Sequence, residues 1–116
     1  MKRHLAEAHP LGSFEEHVLV AVLRTIPASY GMNVRREIER VTSRNVTIGS
    51  VYITLDRLEA KGLVASVRTV ARSDAPSRRV FSVTTAGARA LADTKAVRER
   101  LWRGVDVRSL LKRPRQ

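Results

Sequence analysis

Residues 47 to 62 read TIGSVYITLDRLEAKG. Val51, Leu55 and Leu58 recur at spacings of four and three, which puts them on one stripe of a helix, while Gly49, Ser50, Ile53 and Arg57 point the other way. The apolar stripe must find a core. The outward face is small and polar at its start and basic further on, as suits a helix that enters a DNA groove. Because the same period fits any amphipathic surface helix, the flanking segments decide what this one does.

Immediately upstream, Met32 to Val41 carries Val34, Ile38 and Val41 at helical spacing, with Arg35, Arg36, Glu37, Glu39 and Arg40 on the remaining surface. Thr42-Ser43-Arg44-Asn45 is a loop, and Asn45 or Thr47 can cap the next helix. Two short helices joined by a tight polar turn make a helix-turn-helix. Further upstream, Ser13 followed by Glu16 has the capping-box spacing and starts a helix from about Phe14 to Thr25. Its apolar residues Phe14, Val18, Leu19, Val22, Leu23 and Ile26 cover more than one stripe, which predicts burial on two sides, and Pro27 stops it. Ala28-Ser29-Tyr30-Gly31 is the turn to the second helix. Residues 1–12 read as a flexible arm or a short extra helix. His4 and His9 within it do not share a helix face, and His17 is a lone histidine among core residues, so no metal site is expected.

Downstream, Gly62 suits the left-handed position that ends a helix, after which the pattern becomes extended. Leu63, Val64, Val67 and Val70 form one β-favouring run and Val80 to Thr84 a second, joined by a polar tip bearing Arg72, Arg78 and Arg79. A hairpin placed directly after a helix-turn-helix is a wing. Thr84 or Thr85 can cap a last helix in which Leu91, Val97, Leu101, Trp102 and Val105 recur at near-heptad intervals. Three helices and a hairpin already supply the core, so this stripe is expected to be buried by a second copy of the chain; folding back on its own domain is the alternative. The expected organisation is an arm at 1–12, a winged helix-turn-helix at 13–84, a dimerisation helix at 85–107 and a basic tail at 108–116. The fold class is α+β, mostly helical, with a two-stranded wing.

Composition narrows the function. Lys and Arg number 22 against 11 Asp and Glu in 116 residues, a net charge of +11, which draws polyanions by long-range attraction. There is no cysteine, hence no disulfide, thiolate metal site or thiol nucleophile. The three histidines all lie within the first 17 residues, and no Gly-rich phosphate loop or carboxylate cluster with ligand spacing is present, so an enzyme is not expected and neither is a cofactor. The longest apolar run, Val18 to Leu23, is far short of the ~20 residues that span a bilayer, and no signal peptide is recognisable, so a cytoplasmic protein without membrane contact is expected.

The order LGSFEEHVLVAVLR, a Tyr30-Gly31 turn, IGSVYITLDRLEAKGLV and an arginine-rich wing ending RRVFSVTTAG resembles the PadR family of bacterial transcriptional regulators over about residues 11 to 105. Tyr52, Leu55, Arg57, Leu58, Glu59, Gly62 and Leu63 match its most specific segment; Arg79, Phe81, Thr84, Ala86 and Gly87 match a second. The single C-terminal helix is similar to the family's small subgroup. The resemblance implies a homodimeric winged helix-turn-helix repressor whose last helix crosses to the partner subunit. Two features depart from the family. Ser73-Asp74-Ala75-Pro76-Ser77 replaces the usual wing glycines, and Trp102 falls about one helical turn later than the aromatic against which some small members bind planar drugs. Whether an effector ligand exists is left open.

On this reading the partners are double-stranded DNA and a second copy of the chain. Ser50, Tyr52 and Thr54 offer hydroxyls to phosphates or base edges, Ile53 a methyl contact to thymine, and Arg57 a planar fork for guanine. Asp56 would repel phosphate and is expected to restrain a neighbouring arginine instead. Arg78 and Arg79 would favour the minor groove; Arg35, Arg36, Arg44 and Lys61, with Tyr30 at the turn, would meet the backbone. The alternative is a winged-helix module that binds RNA or protein without reading DNA sequence. Low aromatic content, 4%, weighs against the RNA version, and the +11 charge against the protein version.

Overall fold

The computed structural model describes residues 11–112. Helices α1 (Ser13–Arg24), α2 (Gly31–Thr42) and α3 (Ile48–Ala60) are followed by strands β1 (Val64–Arg68) and β2 (Arg79–Val83), helix α4 (Thr85–Trp102) and one turn of helix, α5 (Arg108–Leu111). The strands pair antiparallel with Val64 opposite Val83 and Arg68 opposite Arg79. The mostly helical winged helix-turn-helix expected from the sequence is the fold observed.

Its core is a single cluster. Val18, Leu19, Ala21 and Val22 of α1, Val34 and Ile38 of α2, Val51, Leu55 and Leu58 of α3, Val64 of β1 and Phe81 of β2 are all buried. Each fully buried aliphatic side chain contributes roughly 1.5 to 3 kcal/mol, so the three-residue stripe of α3 is what seats that helix. The burial of α1 is narrower than its composition suggests, since Leu23 is exposed; so are Ile26, which lies beyond the end of the helix, and Val41 at the end of α2. In the hairpin Val67 and Val70 are exposed too, because a two-stranded wing has a body to pack on only near its base.

Local chemistry explains the element ends. The Thr47 hydroxyl accepts the Ser50 N–H at 3.1 Å, capping α3. Replacing Thr47 with alanine is expected to cost about 1 kcal/mol, read as a lower urea midpoint, since one N–H of the first turn loses its acceptor. At the other end Gly62 has φ 78°, with Leu63 N–H donating to the Leu58 carbonyl and Gly62 N–H to that of Glu59. This is a Schellman closure, and it needs the left-handed glycine. The cap of α1 lies one residue earlier than Ser13 and Glu16 suggested: Gly12 is the N-cap and its N–H donates to Glu15 Oε1 at 3.1 Å. Glu16 is left free to accept from Arg98 of α4 at 2.6 Å.

Leu11 also packs against the core, and its N–H donates to the buried Thr94 hydroxyl at 3.2 Å, so the last residues assigned to the arm belong to the folded body. The rest of the arm, with His4 and His9, and the last four tail residues lie outside the described residues. The tail expected from 108 begins with the α5 turn.

Glu37 joins α1 to α2, accepting from Arg40 at 2.7 Å and from Arg24 at 2.6 Å. The hydrogen bond from Arg40 and then that from Arg24 hold its carboxyl down from 4.5 to about 2. A depressed carboxylate stabilises the fold above its unfolded value and loses that contribution as pH falls through the folded one. The stability difference between the wild type and Glu37→Gln is therefore expected to be level near neutrality and to shrink between pH 4.5 and about 2, as urea midpoints across that range would show.

Candidate nucleic-acid interface

With Val51, Leu55 and Leu58 turned inward, the opposite side of α3 is set in solvent. Ile53 is 61% exposed, Gly49, Asp56 and Arg57 are exposed, and Ser50 and Tyr52 are half-buried. Arg57 makes no ion pair or side-chain hydrogen bond among the described residues, so its five donors remain available. Thr54 is corrected: it is 5% exposed and sits in the core face, three residues after Val51 and four before Leu58, where its hydroxyl cannot reach a groove.

Tyr52 connects this face to α2. Its ring lies directly against Gly31, where a Cβ would overlap ring carbons and the hydroxyl oxygen unless the ring shifted. Tyr30 is the N-cap of α2 and supplies no side-chain cap, so the first-turn N–H groups lack that acceptor and the helix start is electropositive. Beside it opens a groove of about 390 Å³ between α2 and the wing, lined by Tyr30, Met32, Arg36, Tyr52, Arg68, Ser77, Arg78 and Arg79. The Arg78 guanidinium stands over the Tyr30 ring at 4.2 Å, a cation–π contact that leaves its charge uncompensated. The two tyrosines, an open helix start and several cations make this wall suited to the phosphate backbone.

The wing is more ordered than its polar sequence suggests. Arg72 and Ala75 bond each other's backbones at 2.7 and 3.2 Å around Ser73-Asp74, and Thr69 fastens the neck by accepting from Arg78 N–H and Ser77 Oγ at 2.8 Å each. At the base, Tyr30 bridges Val80 and the Ser29 carbonyl accepts the Phe81 N–H at 2.8 Å, so the turn before α2 acts as a third strand segment. The buried Ser29 hydroxyl, donating to the Val22 carbonyl at 2.7 Å, holds that segment on α1. Sequence reasoning passed over Ser29 because a lone serine in a turn carries no periodic signal.

Three further cations assigned to DNA are engaged elsewhere. Arg35 turns toward the α2–α3 loop, donating to Glu39 at 3.2 Å and to the Val46 carbonyl at 3.5 Å, with its Nε buried and unpartnered. Lys61 is tied to Glu15 of α1 at 2.9 Å. Arg79 is not at the wing tip: it opens β2 and binds Asp56 at 2.9 Å and Glu59 at 2.6 Å, which answers the expectation for Asp56. Arg36 and Arg44 remain exposed.

The last helix is divided. Gly87, Leu91, Thr94 and Arg98 share a stripe that docks on the chain's own body, so Leu91 is corrected from a dimer contact to an internal one. Val97 and Leu101 lie on the adjoining stripe and are exposed, as is Trp102 at 54%. Val105 lies beyond the helix, which ends at Trp102. A second hollow of about 360 Å³ lies among Val20, Ala21 and Val41 and the Glu16–Arg98 and Arg24–Glu37 pairs; Trp102 lines neither hollow. Among the described residues no helix is long and apolar enough to cross a membrane.

Comparison with known proteins agrees with this geometry. The Transcriptional regulator PadR-like family matches residues 19–93. The transcriptional regulator Rv3488 of Mycobacterium tuberculosis H37Rv is 43% identical over 60 residues, 52% of this chain and 54% of that protein, so the matched stretch spans about half of its length. Among solved structures, the complex of hsRosR-S4 is 26% identical with a TM-score of 0.67, covering 87% of this chain and 81% of that one. A PadR-like transcriptional regulator from Bacillus cereus ATCC 14579 is 22% identical with the same TM-score, covering 87% and 93%, and shares the fold. This chain therefore belongs to the PadR-like family of transcriptional regulators.

Proposed function

We propose that the chain binds double-stranded DNA sequence-specifically as a homodimer and represses transcription from an inverted-repeat operator. The observation that carries this reading is the continuity of one surface: the solvent face of α3, with Ser50, Ile53 and an unpaired Arg57, runs into the groove where Tyr30, Tyr52, Arg36, Arg68 and Arg78 converge. A helix of this kind fits the major groove, and the flanking wall then meets the phosphates. Arg57 reads guanine, Ile53 meets a thymine methyl, and Ser50 and Tyr52 donate to phosphate or base edges. Arg72 at the wing tip reaches the minor groove, while Arg78 in the wall and Arg44 add phosphate attraction.

The second copy is supported by the apolar surface that one chain leaves uncovered on Val97, Leu101 and Trp102. Burying it against a twofold-related copy puts the two α3 helices in successive major grooves, with half-sites ~34 Å apart. Repression is the activity that family resemblance favours, and its place is the compartment that holds the DNA. A salt titration of duplex binding tests the reading. The logarithm of affinity should fall linearly with the logarithm of salt, by roughly 0.9 for each phosphate neutralised; an affinity for duplex that salt leaves unchanged would contradict it.

A further inference from the structure

Arg79 matches the family's second segment and looks from sequence like a wing cation, yet its side chain faces the recognition helix. Nη2 lies 2.6 Å from Glu59 Oε1 and 2.9 Å from Asp56 Oδ1, and Nε donates to Ser66 Oγ at 3.3 Å. Ser66 Oγ in turn donates to Glu59 Oε2 at 2.9 Å, and the guanidinium lies over Phe81 at 4.8 Å. One planar fork therefore joins two carboxylates of α3 to both strands of the wing. The hydrogen bond from Ser66 and then that from Arg79 hold Glu59 below the usual carboxylate range, so it stays charged at neutral pH.

The consequence is electrostatic. Asp56 and Glu59 are three residues apart on the helix that the proposed function places in a DNA groove, and Asp56 adjoins Arg57 in sequence. Two free carboxylates there would repel phosphate. Paired to one guanidinium, they are drawn toward the wing base and half of their charge is cancelled. Arg78, one residue earlier, carries no such pair and stands over Tyr30.

We propose that Arg79 is a positioning residue for DNA binding, acting through Asp56 and Glu59: it holds the wing on the recognition helix and shields the DNA from these carboxylates, without touching DNA itself. The proposal rests on the DNA-binding function proposed for the chain. Its test uses the full chain and the duplex recovered by selection from a random pool; failure of the wild type to bind any duplex would defeat that function, whereas the variants judge Arg79.

Arg79→Gln should weaken binding on the order of tenfold, because removing one partner leaves charges unpaired. Adding Asp56→Asn and Glu59→Gln to it should restore affinity to within about threefold of wild type, since the repulsion goes with the carboxylates. Arg78→Gln is the reference for a direct contact, and its salt slope should fall by roughly 0.9. Arg79→Lys keeps the charge but loses the fork, and should weaken binding nearly as much as Arg79→Gln. It serves as the alternative should Arg79→Gln fail to fold, with circular dichroism reporting folding for each variant. The proposal is overturned if the triple variant stays as weak as Arg79→Gln with a slope one phosphate short. It is equally overturned if Arg79→Lys binds like wild type, or if folded Arg79→Gln loses no affinity.

Discussion

Arg57→Ala is expected to lower affinity for the selected operator by about 5- to 150-fold while changing affinity for random duplex far less. The range is the ~1 to 3 kcal/mol that a bidentate arginine–guanine contact contributes to discrimination. The asymmetry reflects where Arg57 stands. It is exposed on the solvent face of α3, two positions from the buried Leu55 and one from Leu58, and no carboxylate holds it. On the proposed function, a side chain so placed would enter a major groove with its fork free to meet O6 and N7 together. Binding to random duplex draws instead on phosphate contacts, which the proposed function assigns to the groove beside α2 and the wing. Competition titrations of wild type and Arg57→Ala against both duplexes give the two ratios. Equal losses on both would show that Arg57 meets only phosphate.

The second large effect concerns how α4 is attached. Gly87→Ala is expected to cost roughly 1 to 3 kcal/mol of stability, the usual range for overpacking a closely fitted site. An added Cβ would overlap the Leu63 carbonyl oxygen and stand 2.9 Å from Val83 Cγ1. Backbone cannot rotate out of the way as a side chain would. The surroundings are also committed: Thr84 Oγ1 accepts from Gly87 N–H at 3.0 Å and donates to the Gly62 carbonyl at 2.7 Å, while Thr84 N–H donates to the Leu63 carbonyl at 3.1 Å. The start of α4 is thus pinned to the junction where α3 ends and the wing begins. Gly49→Ala is the matched control, since nothing lies within 4 Å of its added methyl and a helical glycine-to-alanine change gains up to about 1 kcal/mol. Urea unfolding of both variants checks the pair; equal stabilities would show that α4 can shift at no cost.

These two residues also mark what the sequence makes legible. The stripe Val51, Leu55, Leu58 and the glycine at 62 can be read locally, because a helix must bury one face and a Schellman closure needs a left-handed residue. Thr54 is legible too, lying at i+3 from Val51 and i−4 from Leu58, but its hydroxyl draws it to the polar face in any reading by residue type. The position of Gly87 is visible as part of a motif, whereas the Leu63 carbonyl that requires it comes from a distant segment. Arg79 could not be placed from spacing, since its partners Asp56 and Glu59 lie 23 and 20 residues away and are brought near only by the turn at Gly62. Likewise the apolar period of α4 looks the same whether a residue meets its own domain, as Leu91 does, or remains exposed, as Leu101 does.

Unpaired Arg57, Asp56 and Glu59 held by Arg79, and the uncovered stripe of α4 all support the proposal that two copies read two half-sites together. Selection of bound sequences from a random duplex pool tests it most directly. The expected result is an inverted repeat with half-site centres about one helical turn, ~34 Å, apart. A pool that shows no enriched sequence after binding would contradict it.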